Sequence, residues 1–306
     1  MFTVVTAADG NYTLQAQVLA SSLSLSQSVE TYLVVLGNGW PAKERDRLLR
    51  LQNENLSIEC RSVDDSMFGD IRLTNGFPLA TAYNVLAPLY LFPNLDRFLY
   101  VDADVVVRKD LTALMTQSNE TGLSACLDAH IGWVSNPTMW RPWNEEELDP
   151  STPYLNTGVM LIDPQRWNER RLTERTLEFL RKYDLPCVDQ DALNLALRGH
   201  FGVLEPTYNS MPYHILEAFR HIDLVTPSEQ LSEALTDPAI VHFHRSFLGK
   251  PWEFGCIHPS REIWRNLAND VRPRWRRNLD LVGLGRRTAA AAARMLRVDK
   301  RAARLD

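Results

Sequence analysis

Apolar residues in the first sixty positions alternate between two spacings. Phe2 to Thr6 is a short β-rich run that ends in small residues and Asp9-Gly10-Asn11, the pattern of a buried strand stopping in a loop. From Gln15 to Leu25, Leu and Val recur at helical spacing and predict a helix. Tyr32 to Leu36 then reads as a strand, the charged and periodic Ala42 to Leu51 as a helix, and Leu56 to Arg61 as a third strand. Ser124 to Leu127, Val159 to Ile162 and Ala239 to Phe243 are further strand candidates. Thr173 to Lys182 is helical, and another helix runs from Asp191 to Arg198. Strands alternating with helices imply an α/β chain with a mostly parallel sheet covered on both faces.

The most informative stretch is Phe98-Leu99-Tyr100-Val101-Asp102-Ala103-Asp104-Val105-Val106-Val107. An apolar strand runs into two carboxylates, and a second β-rich run follows at once. The segment from His130 to Tyr154, with its prolines, tryptophans and acidic run, predicts a long loop or small insertion near a site.

Bulk composition narrows the class. The chain has 306 residues, 45% hydrophobic and 23% charged, which are ordinary globular values. Four cysteines stand far apart, Cys60, Cys126, Cys187 and Cys256, and predict free, mostly buried thiols. The start MFTVVTAADG lacks the pattern of a signal peptide. No apolar run reaches the roughly 20 residues that span a bilayer. The expected location is cytoplasmic. The net charge of −5 hides an asymmetry: from Arg261 to Asp306 there are thirteen Lys and Arg against five Asp and Glu. A basic tail on an acidic body suggests an attachment surface. Thr288 to Arg304, rich in Ala, Arg and Leu, predicts a helix.

Asp102 and Asp104 are the first chemical candidates. Residues two apart on a strand point to one side, and two carboxylates that close repel unless something neutralises them. A divalent cation does so, and hard oxygen ligands suit Mg²⁺ or Mn²⁺. Alone, a D-x-D reads as a solvated turn with two incidental acids; the apolar strands on both sides favour the cation. His242 and His244 end a late strand shortly before Gly249-Lys250-Pro251-Trp252. A histidine there can complete a metal site, and a lysine can neutralise a diphosphate. Taken alone, these are a packed core histidine and a surface charge. Asp9, Asn11 and Tyr12 lie at the carboxyl end of the first strand, where open α/β sheets bind ligands. Asp189 and Asp191 open a helix, and by themselves read as helix capping. No G-x-G-x-x-G follows the first strand, and no phosphate loop, G-x-S-x-G or H-E-x-x-H is present. Paired carboxylates also suit a hydrolase.

Five motifs in register resemble glycosyltransferase family eight, which includes bacterial lipopolysaccharide galactosyltransferases and glycogenin. They are Ala7 to Tyr12, Asp96 to Asp104, Leu155 to Ile162, Asp189 to Asn194, and Ile240 to Phe243 with Lys250-Pro251-Trp252. The resemblance spans Phe2 to Trp264. It implies a GT-A fold, a Rossmann-like mixed sheet with flanking helices, over residues 1–260. Residues 261–306 would form a basic helical extension suited to an anionic membrane surface.

The resemblance also implies a retaining, metal-dependent enzyme that moves a hexose, galactose or glucose, from a UDP-sugar to a saccharide or glycolipid acceptor in lipopolysaccharide or polysaccharide assembly. No nucleic acid is expected as a partner. Asp102, Asp104 and a histidine would hold Mn²⁺ or Mg²⁺. Ala7, Asp9, Asn11 and Tyr12 would hold the nucleoside, Asp128, Asn156 and Thr157 the donor sugar, and Lys250 the diphosphate. Asp189 and Gln190 would face the anomeric carbon. The family spaces its histidine six residues before the lysine, as His244 is here, yet His242 occupies the matching strand. The strand fixes a side chain's direction, so His242 comes first and His244 second. The family's arginine on the helix before the D-x-D falls on Val85, beside Asn84. A metal-dependent nucleotide-sugar hydrolase and an inactive UDP-sugar-binding module remain the alternatives.

Overall fold

The computed structural model describes residues 2–71, 73, 77–91, 93, 95–117, 120–136, 142–215, 228–246 and 248–275. The expected helix from Thr288 to Arg304 lies outside them. Among the described residues there are nine strands: β1 Phe2–Ala7, β2 Thr31–Leu36, β3 Leu56–Arg61, β4 Phe98–Val101, β5 Val105–Val107, β6 Leu123–Leu127, β7 Leu155–Ile162, β8 Gly202–Val203 and β9 Ile240–His242. The described helices are α1 Thr13–Ser26, α2 Ala42–Leu49, α3 Tyr83–Leu91, α4 Thr112–Met115, α5 Pro142–Glu145, α6 Pro164–Glu169, α7 Leu172–Lys182, α8 Val188–Leu197, α9 Ser228–Thr236 and α10 Arg261–Val271.

Seven strands form one mixed sheet in the order β3-β2-β1-β4-β7-β6-β8. β3, β2, β1 and β4 pair in parallel, β7 runs against β4 and β6, and β8 is parallel to β6. β5 leaves this sheet and pairs with β9 in a separate antiparallel ribbon.

Alternation along the central strands feeds two cores, one on each face. In β4, Phe98 and Tyr100 enter one cluster, while Leu99 and Val101 enter the other. In β7, Met160 and Ile162 oppose Val159 and Leu161 in the same way. Burial on both faces is what gives these strands their unbroken apolar sequence.

Two elements differ from the sequence pattern. β7 begins at Leu155 rather than Val159, because Asn156, Thr157 and Gly158 are buried strand residues and not a preceding loop. α3 escapes the periodicity argument because Tyr83 to Pro88 are all buried, so no polar face marks a helical period. In the irregular segment the described residues include the short α5 and an isolated bridge between Trp133 and Pro153.

The start of the basic tail is fastened to the body. α10 packs against α1, and Trp264 is fully buried with Val18, Val106, Phe243 and Trp252. Arg265 Nε donates to the Pro251 carbonyl at 3.0 Å, and Arg272 forms an ion pair with Glu44. Trp264, which falls within the basic extension expected to suit an anionic membrane surface, is therefore core. Trp275 is half-buried and meets Trp264 edge-on at 5.2 Å. All four cysteines are free, Cys126 and Cys256 buried and Cys60 and Cys187 half-buried. No helix among the described residues is long and apolar enough to cross a membrane.

Candidate active site

A cleft of about 470 Å³ opens at the carboxyl ends of β1 and β4. That is where an open α/β sheet leaves unfilled space beyond its strand ends. Asp102 and Asp104 follow β4 directly. The Asp102 backbone N–H donates to the Gly158 carbonyl at 2.8 Å, which ties the turn to β7. The Tyr100 hydroxyl donates to Asp102 Oδ1 at 3.1 Å.

The β5–β9 ribbon brings the histidine. Val105 pairs with His242, so the residue after Asp104 sits opposite the imidazole. His242 Nε2 lies 3.3 Å from Asp104 Oδ1 and 3.7 Å from Asp102 Oδ2. The three side chains offer ligand atoms all within 4.8 Å of one another, a set able to hold a metal ion.

The tautomer follows from a buried chain of amides. Asn209 Nδ2 donates to Asn156 Oδ1 at 2.9 Å, which leaves Asn209 Oδ1 to accept from His242 Nδ1, also at 2.9 Å. Nδ1 thus carries the hydrogen, and Nε2 presents its lone pair to two carboxylates. His242 is 2% exposed, and its Nε2 has no hydrogen-bond partner. Three electron-rich atoms facing one another without a donor is the arrangement a divalent cation resolves.

His244 is built differently. Its Nδ1 meets the Arg245 carbonyl at 3.1 Å, and its ring stacks on Tyr213, which in turn stacks on His130 at 4.1 Å. Burial and the neighbouring His242 bring His244 down to about 3, so its ring is neutral at ordinary pH. It lines the cleft without joining the carboxylate group.

The charges are sharply differentiated. Loss of surrounding water, with the charge of Asp104 added, pushes Asp102 up to about 6. Burial also pushes Asp104 upward, but the Lys250 ammonium outweighs it and holds that carboxyl well below the usual range. Lys250 forms an ion pair with Asp104 Oδ2, and its ammonium lies 5.3 Å from the Trp252 ring centre and 5.9 Å from that of Tyr12. Burial disfavours the Lys250 charge, yet Asp104 keeps its pKa above normal.

The far wall comes from β6, β7 and α8. Val188 opens α8 at φ +46°, a left-handed conformation rare for a β-branched residue. Asp189 follows, buried, and accepts from Asn84 Nδ2 at 2.6 Å and Thr157 Oγ1 at 3.2 Å. Burial raises Asp189 to about 7. Gln190 Oε1 accepts from Asn156 Nδ2 at 3.0 Å and the Thr157 N–H at 3.2 Å; its Nε2 donates to Asp128 Oδ2 at 3.2 Å. Asp128 Oδ1 takes the His130 and Ile131 N–H groups, each at 2.9 Å. The capping expectation divides: Asp191 accepts the Cys187 N–H at the helix start, at 2.7 Å, whereas Asp189 turns into the cleft.

Ala7, Asp9, Tyr12, Asp128, Asn156, Thr157, Asp189, Gln190 and Lys250 thus all border one cleft with the metal-ligand set. Asn11 does not line it; its N–H and side-chain amide bind the Asp9 carboxylate at 2.8 and 3.3 Å. Val85 is 1% exposed in the α3 core, and Asn84 beside it reaches Asp189 instead. Sequence reasoning missed Asn209 and the hydroxyl of Tyr100. Asn209 stands in a short turn, Pro206–Asn209, with no motif to mark it.

Comparisons with known proteins identify the family and the fold. Residues 3–256 match the model of glycosyl transferase family 8. General stress protein A of Bacillus subtilis (strain 168) is 27% identical over 272 residues, covering 85% of this chain and 90% of that protein. A lipopolysaccharide 1,2-glucosyltransferase of Escherichia coli (strain K12) is 26% identical, covering 84% and 74%. Among solved structures, the galactosyltransferase LgtC in complex with donor and acceptor sugar analogs superposes with a TM-score of 0.73 at 24% identity, covering 89% of this chain and 96% of that one. With its mixed sheet and flanking helices in the GT-A arrangement, the chain belongs to glycosyl transferase family 8 and is a glycosyltransferase.

Proposed function

We propose that the protein is a retaining, metal-dependent hexosyltransferase that takes galactose or glucose from a UDP-sugar and passes it to a saccharide or glycolipid. The observation that carries this reading is the buried, unpartnered His242 Nε2 aimed at Asp102 and Asp104. Those three residues would hold Mn²⁺ or Mg²⁺. When bound there, the cation supplies positive charge against the diphosphate as the bond to the sugar breaks.

The chain's own residues do the rest. Ala7, Asp9 and Tyr12 border the nucleoside end, with Asn11 fixing the Asp9 carboxylate. Lys250 offers its ammonium to the leaving diphosphate. Asp128, Asn156 and Thr157 present polar atoms to the sugar hydroxyls. Gln190 has an amide with no titratable proton, so it orients and stabilises rather than acting as a base. Its carbonyl oxygen is fixed by Asn156 and Thr157, an arrangement that preorganises a dipole beside the reacting carbon. Asp189 stands next to it.

The acceptor enters over the His130, Tyr213 and His244 rings, where flat faces suit a sugar. The basic stretch beyond α10 suits the anionic inner face of a membrane and a lipid-linked acceptor in envelope polysaccharide assembly. We place the protein in the cytoplasm on this reading.

The test is a panel of UDP-sugars with Mn²⁺, scored for UDP release and for transfer to added saccharides. Release that accelerates with acceptor and yields a glycosylated product supports the proposal. Release with no transfer to any acceptor supports a hydrolase, and metal-dependent UDP binding without turnover supports a binding module.

A further inference from the structure

Asp104 has two claimants. Its Oδ1 faces His242 Nε2 at 3.3 Å, in the set able to hold a cation. Its Oδ2 carries the Lys250 ammonium. The Asp104 side chain is only 9% exposed and that of Lys250 13%, so water screens this pair weakly. A divalent cation approaching Asp102, Asp104 and His242 therefore meets a full positive charge already seated on one of its ligands.

Lys250 also has somewhere else to go. Its ammonium lies over the Tyr12 and Trp252 rings, two faces that attract a cation whether or not Asp104 holds it. Both Tyr12 and Lys250 border the same cleft as the carboxylates. A diphosphate bound there provides oxygens that can take the ammonium from Asp104.

We propose that Lys250 couples the cation to the diphosphate. It holds Asp104 against a cation that arrives alone, and it yields Asp104 when diphosphate oxygens take its charge. The two ligands then bind with positive cooperativity, because each removes an obstacle to the other. The effect is selective: free metal binds the site weakly, and Lys250 stabilises the Asp104 carboxylate until donor arrives. The coupling rests on the UDP-sugar reading for its second ligand, whereas the competition for Asp104 does not.

Calorimetric titration of Mn²⁺ separates the two. Wild-type, Lys250→Met and Lys250→Arg proteins are titrated with Mn²⁺ alone, with Mn²⁺ plus uridine, and with Mn²⁺ plus UDP. Far-UV circular dichroism and melting confirm that each variant is folded. Lys250→Met is expected to bind Mn²⁺ alone about 10-fold tighter than wild type, while the gain in Mn²⁺ affinity on adding UDP shrinks about 10-fold. Lys250→Arg keeps the wild-type pattern, and uridine changes none of the affinities. If folded Lys250→Met binds Mn²⁺ alone no tighter than wild type, the competition is overturned. If wild-type Mn²⁺ affinity does not respond to UDP, the diphosphate reading falls and the coupling with it, independently of the metal-alone result.

Discussion

His242 and Asn209 are joined from Nδ1 to Oδ1 at 2.9 Å, and this bond fixes which ring nitrogen faces the carboxylates. Asn209 is itself locked by its amide on Asn156. Outer partners of a ligating histidine commonly control metal affinity by 10- to 100-fold. Asn209→Ala should therefore weaken Mn²⁺ binding by about that factor, while Asn209→Asp, which keeps an acceptor for Nδ1, should retain most of it. Mn²⁺ titration of both variants checks this. Equal affinity of Asn209→Ala and wild type would show that the ring needs no outer support.

Asp104→Asn should abolish measurable UDP release and weaken UDP binding in Mn²⁺. The change removes a charge from the metal set and strips Lys250 of its partner together. Wild-type turnover in this variant, measured with Mn²⁺ and the preferred donor, would remove Asp104 from the site.

Gly158 marks a close approach. A Cβ added there would lie 2.2 Å from His242 Cε1 and 2.7 Å from Nδ1. The imidazole cannot yield without breaking its bond to Asn209. Gly158→Ala should cost about 1–3 kcal/mol of stability by overpacking and lower Mn²⁺ affinity as the ring is displaced. Denaturant unfolding and metal titration of the same variant test both effects.

Asp189 links activity to a stability cost. Its folded-state pKa is raised to about 7 by burial, against about 4 for an unfolded aspartate. The folded protein therefore holds a proton that the unfolded chain has released. Stability from this residue is complete below about pH 4 and falls as pH rises toward about 7. Asp189→Asn keeps an acceptor for Asn84 and Thr157 but has no charge to bury. It should unfold at higher denaturant than wild type at pH 8, by about 2–4 kcal/mol, with little gain at pH 4, and it should lose turnover. A pH-independent difference would refute the ionisation argument.

The helix α10 should prove necessary to the body. Trp264 is fully buried against Trp252, two residues beyond Lys250. Trp264→Ala should cost about 3–5 kcal/mol and raise the metal and UDP dissociation constants through movement of the Lys250 loop. A chain ended at residue 260 should melt lower or fail to fold.

Much of the architecture was legible because it is locally written. β1, β2, β3 and β4 are short apolar runs set off by polar punctuation, and α7 carries a clear helical period. The paired aspartates stood out because an apolar strand that ends in two carboxylates has few inexpensive explanations. α3 was not legible as a helix, since Tyr83 to Pro88 are all buried and exposed Leu89 is apolar, so no polar face reveals its period. Asn156, Thr157 and Gly158 fell outside the strand read from Val159, because polar residues inside a buried strand make sense only when a site lies beside them.

The chain's sequence alone determined the alternation of strands and helices, the D-x-D at the end of β4 and the family to which its motifs belong. Tertiary structure decided which histidine faces Asp102 and Asp104. The β5–β9 register sets His242 against Val105, while His244, two residues later, bonds to Arg245 and stacks on Tyr213. It also decided that Trp264 is core and that Asn84, Asn209 and Tyr100 support the site. These outcomes depend on contacts between segments far apart in the chain, and hydrophobic spacing records only what each segment buries, not which partner it meets.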